Sequence, residues 1–424
     1  MTYNRTVNYL LDFLLGDNQY VKYVGYSKDP AVWSRYKVVI VPSSFFQDHA
    51  EARCSMPQLP LKELEGIPIL FGEPIVKQVN GTWVIYADLV ASALFLLSRY
   101  EETLVAARDV HGRFQAVSSL AYKAGFLQRP LVDEYGAYLR QCLAACGVQL
   151  PESSQKMTIT LTHDVDVPFE HRTTRSFIGG ILRGQVKNAF KNAFTSLKNN
   201  TAYTFPWLLE QDAKLADAKQ IYFMRMPLQP CVFDKPYLNY RHKDMQKLLG
   251  LLRKHPITWG WHVSYQAESV PHLYLAEKFE LEQALGCKIS CSRNHYLRTC
   301  IPDNFISLQE VGILHDYTVG YADCVGFRLG TCRPVRFISP TTLQVEHIMV
   351  HPLAIMDVTL SNYMHLSYQQ ALETSLQIIE QVRKYQGELV LLWHNTSLTD
   401  HSYHRQLYTD IITHVNMVSA FTSH

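Results

Sequence analysis

Met157-Thr158-Ile159-Thr160-Leu161-Thr162-His163-Asp164-Val165-Asp166 is the stretch on which the reading of the fold turns. A short run of apolar and β-branched residues closed by carboxylates predicts a buried strand with a polar end. Strands of this kind deliver side chains to the carboxyl edge of a parallel barrel or sheet, where active sites collect. Alternate strand residues share a face, so Asp164 and Asp166 are expected together and Val165 in packing. Two acids at one strand end are, taken alone, more often a turn or a cap than a site. Further clusters downstream reverse those odds. Leu389 to Leu392 reads as a second buried strand and runs into Trp393-His394-Asn395. Between the two lie Trp261-His262-Val263-Ser264 and Ser292-Arg293-Asn294-His295-Tyr296. Carboxylates on one strand end with histidines on others are what a hydrolytic metal needs.

In this order the clusters resemble the polysaccharide deacetylase family (carbohydrate esterase family 4), over residues 155–424. Thr162, Asp164 and Asp166 match the Asp-X-Asp form of its first motif. His262 and Ser264 echo the second, with Gln266 where a second histidine belongs. Arg293 opens the third, and Leu392-Trp393-His394 matches the last. The resemblance implies an α/β fold: a distorted, incomplete (β/α) barrel over 155–424, preceded by a smaller α/β domain over 1–150. It makes Asp164 the general base, Asp166 and His262 metal ligands, Arg293 the residue that orients the base, and His394 the general acid. The family pairs that histidine with an aspartate. Asp316 is taken for this role, and Asp323 and Asp357 lie in the same interval. His295 is the candidate for the missing ligand, with a substrate contact or a structural role as its alternatives. His351 reads as a rim residue at the start of a strand that could also complete the metal set.

The implied cofactor is a divalent metal, Zn2+ first for an aspartate with two imidazoles, with Ni2+, Co2+ or Mn2+ compatible. The implied reaction removes acetyl groups from N-acetylated sugars or a glycan precursor, with a metal-activated water as nucleophile. Two rivals stand beside it: hydrolysis of a non-sugar C–N bond, and a non-catalytic module that binds a glycan or a partner. Arg298 and Arg328 are candidates to meet an acidic group on the substrate. Trp259, Trp261, Tyr265, Tyr296 and Trp393 would suit stacking on sugar rings.

Composition sets wider bounds. The 424 residues suffice for two cores, and 47% hydrophobic with 18% charged residues is a globular balance. A net charge of +2 lacks the basic footprint of a nucleic-acid binder. The longest apolar stretch, Leu89 to Leu97, is too short to span a bilayer. The N-terminal residues carry no signal-peptide core, so the reading is an unsecreted, cytoplasmic protein. Nine cysteines without a Cys-X-X-Cys pair read as reduced thiols; Cys142/Cys146 and Cys287/Cys291 could each share a helix face.

In the first half, Lys37 to Pro42 and Ile67 to Phe71 read as strands, Asp88 to Tyr100 as a buried helix, and Asp133 to Gly147 as another. Gln149 to Lys156 is the predicted linker. The clusters Asp109 to Phe114, Arg129-Pro130 and Val132 to Tyr135 read as loop chemistry and capping, or as a contact surface for substrate or partner. Ile181 to Asn200 has helical spacing, with Leu182, Val186, Phe190, Phe194 and Leu197 on one stripe and basic residues off it. It reads as a surface helix packed on the barrel, or as a basic helix resting on an anionic membrane. The oligomeric state is not legible.

Overall fold

A computed structural model describes residues 2–46, 56–150, 156–170, 172, 174–229, 231–300, 303–399 and 402–420. These form two compact units. Most of the predicted linker, 151–155, lies outside the described residues.

The first unit comprises Met1–Gln155 with Val319–Tyr321 and Gly326–Pro352. Its four-stranded sheet runs Val24–Tyr26, Val38–Ile40, Thr82–Ala87 and Gly72–Val79, parallel except for the last pair. Leu89–Leu97 is a helix buried on every side, as its unbroken apolar sequence requires. Asp88 caps it by accepting from the Ala91 amide at 2.9 Å. The boundary read from sequence put 155–424 in one body, whereas Gly326–Pro352 packs here. The reason is charge: Arg328 donates twice to Glu102 Oε1 (3.0 and 2.7 Å), and Asp133 accepts from Thr331, Cys332 and Arg333. Buried ions stay only where such partners exist. The Asp109 and Arg129 clusters form local pairs, Arg113 on Asp109 and Arg129 on Glu134, as loop chemistry predicts.

The second unit comprises Lys156–Thr318, Ala322–Val325 and Leu353–His424. Seven of its strands make a curled parallel sheet: β1 (Thr158–Asp164), β2 (Lys219–Arg225), β3 (Ile257–Val263), β4 (Cys291–Asn294), β5 (His315–Asp316), β6 (Ile355–Met356) and β7 (Glu388–Leu392). Their order is β5-β4-β3-β2-β1-β7-β6, every neighbouring pair parallel. Helices such as Phe205–Asp212, Lys243–Leu252, Tyr274–Leu285 and Tyr368–Lys384 connect them. The expected buried strands are therefore β1 and β7, lying side by side with Leu392 opposite Thr162. One side chain of the core is packed by a glycine. A Cβ on Gly260 would meet the Phe223 ring at 2.3 Å, so only glycine lets that ring lie flat against β3.

Three smaller readings change. Ile181 to Asn200 is not one helix: α1 (Thr174–Leu182) and α2 (Val186–Phe194) are separated at Gly184, whose φ of +77° favours glycine. Its apolar stripe is largely exposed rather than packed. Cys291 lies on β4, past the helix that ends at Leu285, so it and Cys287 share no helix face. His351 follows a strand, Val345–Val350, of the first unit rather than starting one. The cysteines among the described residues are free thiols.

Candidate metal centre

Every strand of the second unit's sheet releases a polar side chain at its carboxyl end: Asp164 from β1, Arg225 from β2, His262 from β3, Arg293 from β4 and Asp316 from β5. Asp357 follows β6 directly, and His394 lies two residues beyond β7. Parallel register sets Arg225, His262 and Arg293 in one row across three strands, so these side chains share a face. The crossover between the halves of the sheet sits beside β1, where ligands bind in open parallel sheets.

Asp166, His262 and His295 bring one donor atom each to within 4.8 Å of one another. His262 Nδ1 lies 2.9 Å from the Arg293 carbonyl. A carbonyl only accepts, so the proton sits on Nδ1 and Nε2 carries the lone pair. Nε2 is buried and has no hydrogen-bond partner, 3.5 Å from Asp166 Oδ1 and 3.6 Å from Asp164 Oδ2. Burial pushes the His262 imidazole down to about 4 against the pull of Asp164 and Asp166, which keeps it neutral, the form that binds metal. His295 repeats the arrangement: Nδ1 donates to Asp234 Oδ1 at 2.7 Å and Nε2 lies 3.5 Å from Asp166 Oδ1. Asp234 is itself fixed by the Tyr265 amide (3.0 and 3.1 Å). A carboxylate or carbonyl behind each imidazole is the usual way a ligating histidine is oriented. A tetrahedral ion with ligands at about 2.0–2.1 Å keeps donor atoms about 3.4 Å apart, so the two 3.5 Å separations suit one. An orphaned lone pair facing two carboxylates is what such an ion would satisfy, and the residues fit the group.

Asp164 lies beside this set, 3% exposed. Burial would raise its carboxyl, but Arg293, His262 and His394 outweigh that and hold it below the ordinary value. The Arg293 guanidinium is itself fully buried and donates through Nη1 to Asp164 Oδ1 (3.0 Å) and Thr162 Oγ1 (2.8 Å), and through Nε to the Tyr317 carbonyl (3.0 Å). It rests over the Phe223 ring at 4.6 Å, the ring that Gly260 makes room for. His394 faces the pair from the other side, its Nε2 4.0 Å from Asp164 Oδ2 and 3.9 Å from Asp166 Oδ2.

The aspartate behind His394 is Asp357, not Asp316. Asp357 Oδ1 accepts from His394 Nδ1 at 2.8 Å, and its Oδ2 accepts from the His394 amide at 2.8 Å. The cause is register: Met356 of β6 pairs with Leu392 of β7, so the residues that follow each strand stand side by side. Asp316 is engaged elsewhere, accepting from Ser292 Oγ (2.8 Å) and from the amide and hydroxyl of Thr318 (2.8 and 2.9 Å). Burial works against the His394 imidazolium, but Asp357, then Asp164 and Asp166, raise it to about 10.

Arg225 was not among the expected residues. Its Nη1 donates to Asp166 Oδ1 at 2.8 Å. The same nitrogen is 2.9 Å from His295 Nε2 and 3.2 Å from Nδ1, so it lies against the ring and not along either lone pair. Burial would raise Asp166, but His295, Arg225 and His262 hold it well below the carboxylate range. An apolar run closed by a charge, Ile221-Tyr222-Phe223-Met224-Arg225, was the available signal. Asp234, at the end of the single 3-10 turn Val232–Asp234, gave none.

Phe233, Tyr265 and Tyr296 form a cluster with ring centroids 4.4–5.7 Å apart, and Tyr296 stands 4.7 Å from the His295 ring. Tyr296 is held at φ 61° and ψ 15°, a left-handed conformation costly for a tyrosine. Gln266 lies on the short helix Tyr265–Glu268. Arg298 is spent within the protein, on the Tyr265 carbonyl, Ser269 and Glu268. Arg328 belongs to the first unit, on Glu102. Trp261 and Trp393 are fully buried and stack on nothing outside the protein.

Residues 5–147 match the model of a family of unknown function, DUF7033. No curated protein matches the chain. Among solved structures, the chain is similar to a protein assigned as a polysaccharide deacetylase from Mycobacterium smegmatis: 14% identity, 63% of this chain and 86% of that one, TM-score 0.42. A second protein so assigned, from Pseudomonas aeruginosa PAO1, gives 11% identity, 62% and 86% coverage and a TM-score of 0.37. Puue allantoinase gives 12% identity, 64% and 89% coverage and 0.38. Among the described residues no helix is long and apolar enough to cross a membrane.

Proposed function

We propose that the second unit is a metal-dependent hydrolase that removes acetyl groups from N-acetylated sugars or a glycan precursor. The observation that carries the reading is the unpartnered, buried Nε2 of His262, aimed at two carboxylates with a second oriented histidine beside it. Asp166, His262 and His295 would hold the ion, Zn2+ first and Ni2+, Co2+ or Mn2+ as alternatives. A divalent ion there would polarise the acetyl carbonyl and lower the pKa of water.

The rest is the work of the chain's own groups. Asp164, kept ionised by Arg293, accepts the proton of the attacking water. Arg293 also fixes which carboxylate oxygen is free, because Oδ1 is occupied. His394 is held protonated by Asp357 and donates to the departing amine from the opposite side. Phe233, Tyr265 and Tyr296 supply an aromatic wall for the apolar face of a sugar ring, and that wall favours a sugar over a small cyclic amide. A cytoplasmic location is part of the proposal.

A second reading rests on Arg225. Its guanidinium already neutralises Asp166, so the same cluster could be a metal-free site that binds without turnover. Calorimetry of zinc on metal-stripped protein separates the two. One tight site, lost in Asp166→Ala and in His262→Ala, together with acetate release from N-acetylated hexosamines, is the expected result. No heat of binding in the unaltered chain would sink the hydrolase reading and leave the second.

A further inference from the structure

We infer that the helical hairpin α1–α2 is an interfacial anchor that docks the second unit on a bilayer rich in anionic phospholipid. The hairpin leaves the chain just after β1, whose end carries Asp164 and Asp166. Its base is fixed by polar contacts. Arg172 donates to Asp244 Oδ2 (2.9 Å) and to the carbonyls of Asn192 (3.0 Å) and Thr195 (2.6 Å), which close the last turn of α2. Buried Asn192 and Asn200 donate to the Glu170 carboxylate and carbonyl (3.2 and 2.8 Å).

Beyond that base the hairpin shows the solvent what a protein ordinarily hides. Ile178, Leu182, Val186, Phe190 and Phe194 are 50, 81, 47, 50 and 77% exposed. Phe177, Phe190 and Phe194 cluster with centroids 5.1–5.9 Å apart, tying the two helices together at the outer face. A contiguous exposed apolar patch of this kind marks an interaction surface.

Charge identifies the occupant. Residues 174–200 contain five basic residues, Arg175, Arg183, Lys187, Lys191 and Lys198, and no acidic one. The chain has 40 basic and 38 acidic residues, so outside this segment the balance is 35 to 38, slightly negative. The cations are therefore concentrated where the apolar side chains are. Exposed phenylalanines and leucine on a segment that carries Lys and Arg and no acids have the composition of helices that lie in the headgroup region of an anionic leaflet. A second copy of the chain would oppose five cations with five more and offer this segment no counter-charge.

Docking by the hairpin rests on these residues alone. What it adds to the proposed function does rest on that reading: a carboxyl edge held near the headgroups suits an N-acetylated sugar carried on a lipid.

The test is vesicle co-sedimentation of the full chain. Vesicles of phosphatidylcholine alone are compared with vesicles holding about 30 mol% phosphatidylglycerol. Binding to the anionic vesicles only, weakened at least about ten-fold by Phe190→Ser/Phe194→Ser and by Lys187→Glu/Lys191→Glu, is the expected result. Circular dichroism and zinc binding should be unchanged in both variants, since the altered side chains are exposed. Absence of binding to anionic vesicles, or equal binding by the charge-reversed variant, overturns the inference. So does a concentration-dependent dimer abolished by the serine variant, which assigns the face to a second copy. Loss of vesicle binding with acetate release from soluble sugars intact leaves the hydrolase reading standing, and the reverse pattern leaves the anchor standing.

Discussion

His163 and His262 are buried alike, each 1% exposed, on β1 and β3 with β2 between them, yet they stand on opposite terms with their surroundings. His163 Nδ1 lies 3.0 Å from the Trp393 carbonyl and Nε2 lies 3.0 Å from Asp212 Oδ2, whose other oxygen accepts from Tyr408 at 2.5 Å. Every polar atom of that group has a partner inside the protein. His262 has one partner, and its second nitrogen faces two carboxylates across an empty span of lone pairs. The period of a strand makes the division: Thr162 and Asp164 turn to the side of Arg293 and His262, and His163 turns to the helices behind. The difference teaches what separates a histidine spent on structure from one still free to bind a metal. Burial does not do it; the unspent lone pair does.

The largest expected effect lies on the open face. Asp164→Asn keeps the shape and the Thr162–Arg293 contact but removes the proton acceptor. Acetate release should fall about 10³–10⁴-fold while the heat of zinc binding stays. Unchanged turnover would remove Asp164 as base. On the closed face the expected loss is of stability. His163→Ala leaves Asp212 buried with Tyr408 alone, and the second unit should lose about 3 kcal/mol in thermal or urea unfolding. Zinc stoichiometry should not change. A zinc defect in His163→Ala without a stability loss would break the comparison.

Asp357→Asn comes next and is read by pH. Asp357 helps raise His394 to about 10, so removing its charge lowers the histidine's pKa. His394 must be protonated to donate, so the alkaline limb of the rate profile should move to lower pH. Asp164 is held low chiefly by other groups, Arg293 foremost among the attractive ones, and the acid limb should not move. The rate on the plateau should drop about 10²-fold, because the ring also loses the carboxylate that orients it. Asp316→Asn is the matched control, since Asp316 serves Ser292 and Thr318 and should leave the limb where it is.

How much of this was legible follows from which forces are local. Thr158 to Asp164 and Glu388 to Leu392 announce themselves as buried strands, and the polar residues past their ends could be read as one edge. The pairing of His394 with Asp357 is set by a two-residue strand, Ile355–Met356, too short for periodicity to reveal. Asp316 looked as good because the sequence carries no register. Arg225 ends a strand by the same pattern as Asp164, and only the absence of a family motif hid it. The hairpin shows the opposite failure. Its stripe has helical period, which predicts an apolar face but cannot say whether anything covers it.

Arg225 gives the smallest effect and the sharpest division between the two readings. Its guanidinium makes the metal group resemble the closed face, because it gives Asp166 a partner inside the protein. If the cluster binds an ion, that cation is a competitor 2.8 Å from a ligand oxygen, and like charges at such range disfavour binding. Arg225→Gln should then tighten zinc about ten-fold in calorimetry, with Asp166 held low by His295 and His262 still. If the guanidinium stands in place of an ion, the same change leaves a buried-edge carboxylate without its strongest hydrogen bond. Asp166 would keep only the pull of His295 and His262, thermal stability would fall, and zinc would still not bind. The sign of one binding constant therefore decides whether Arg225 tunes a metal site or has replaced it, and with it whether His262 keeps a lone pair for chemistry.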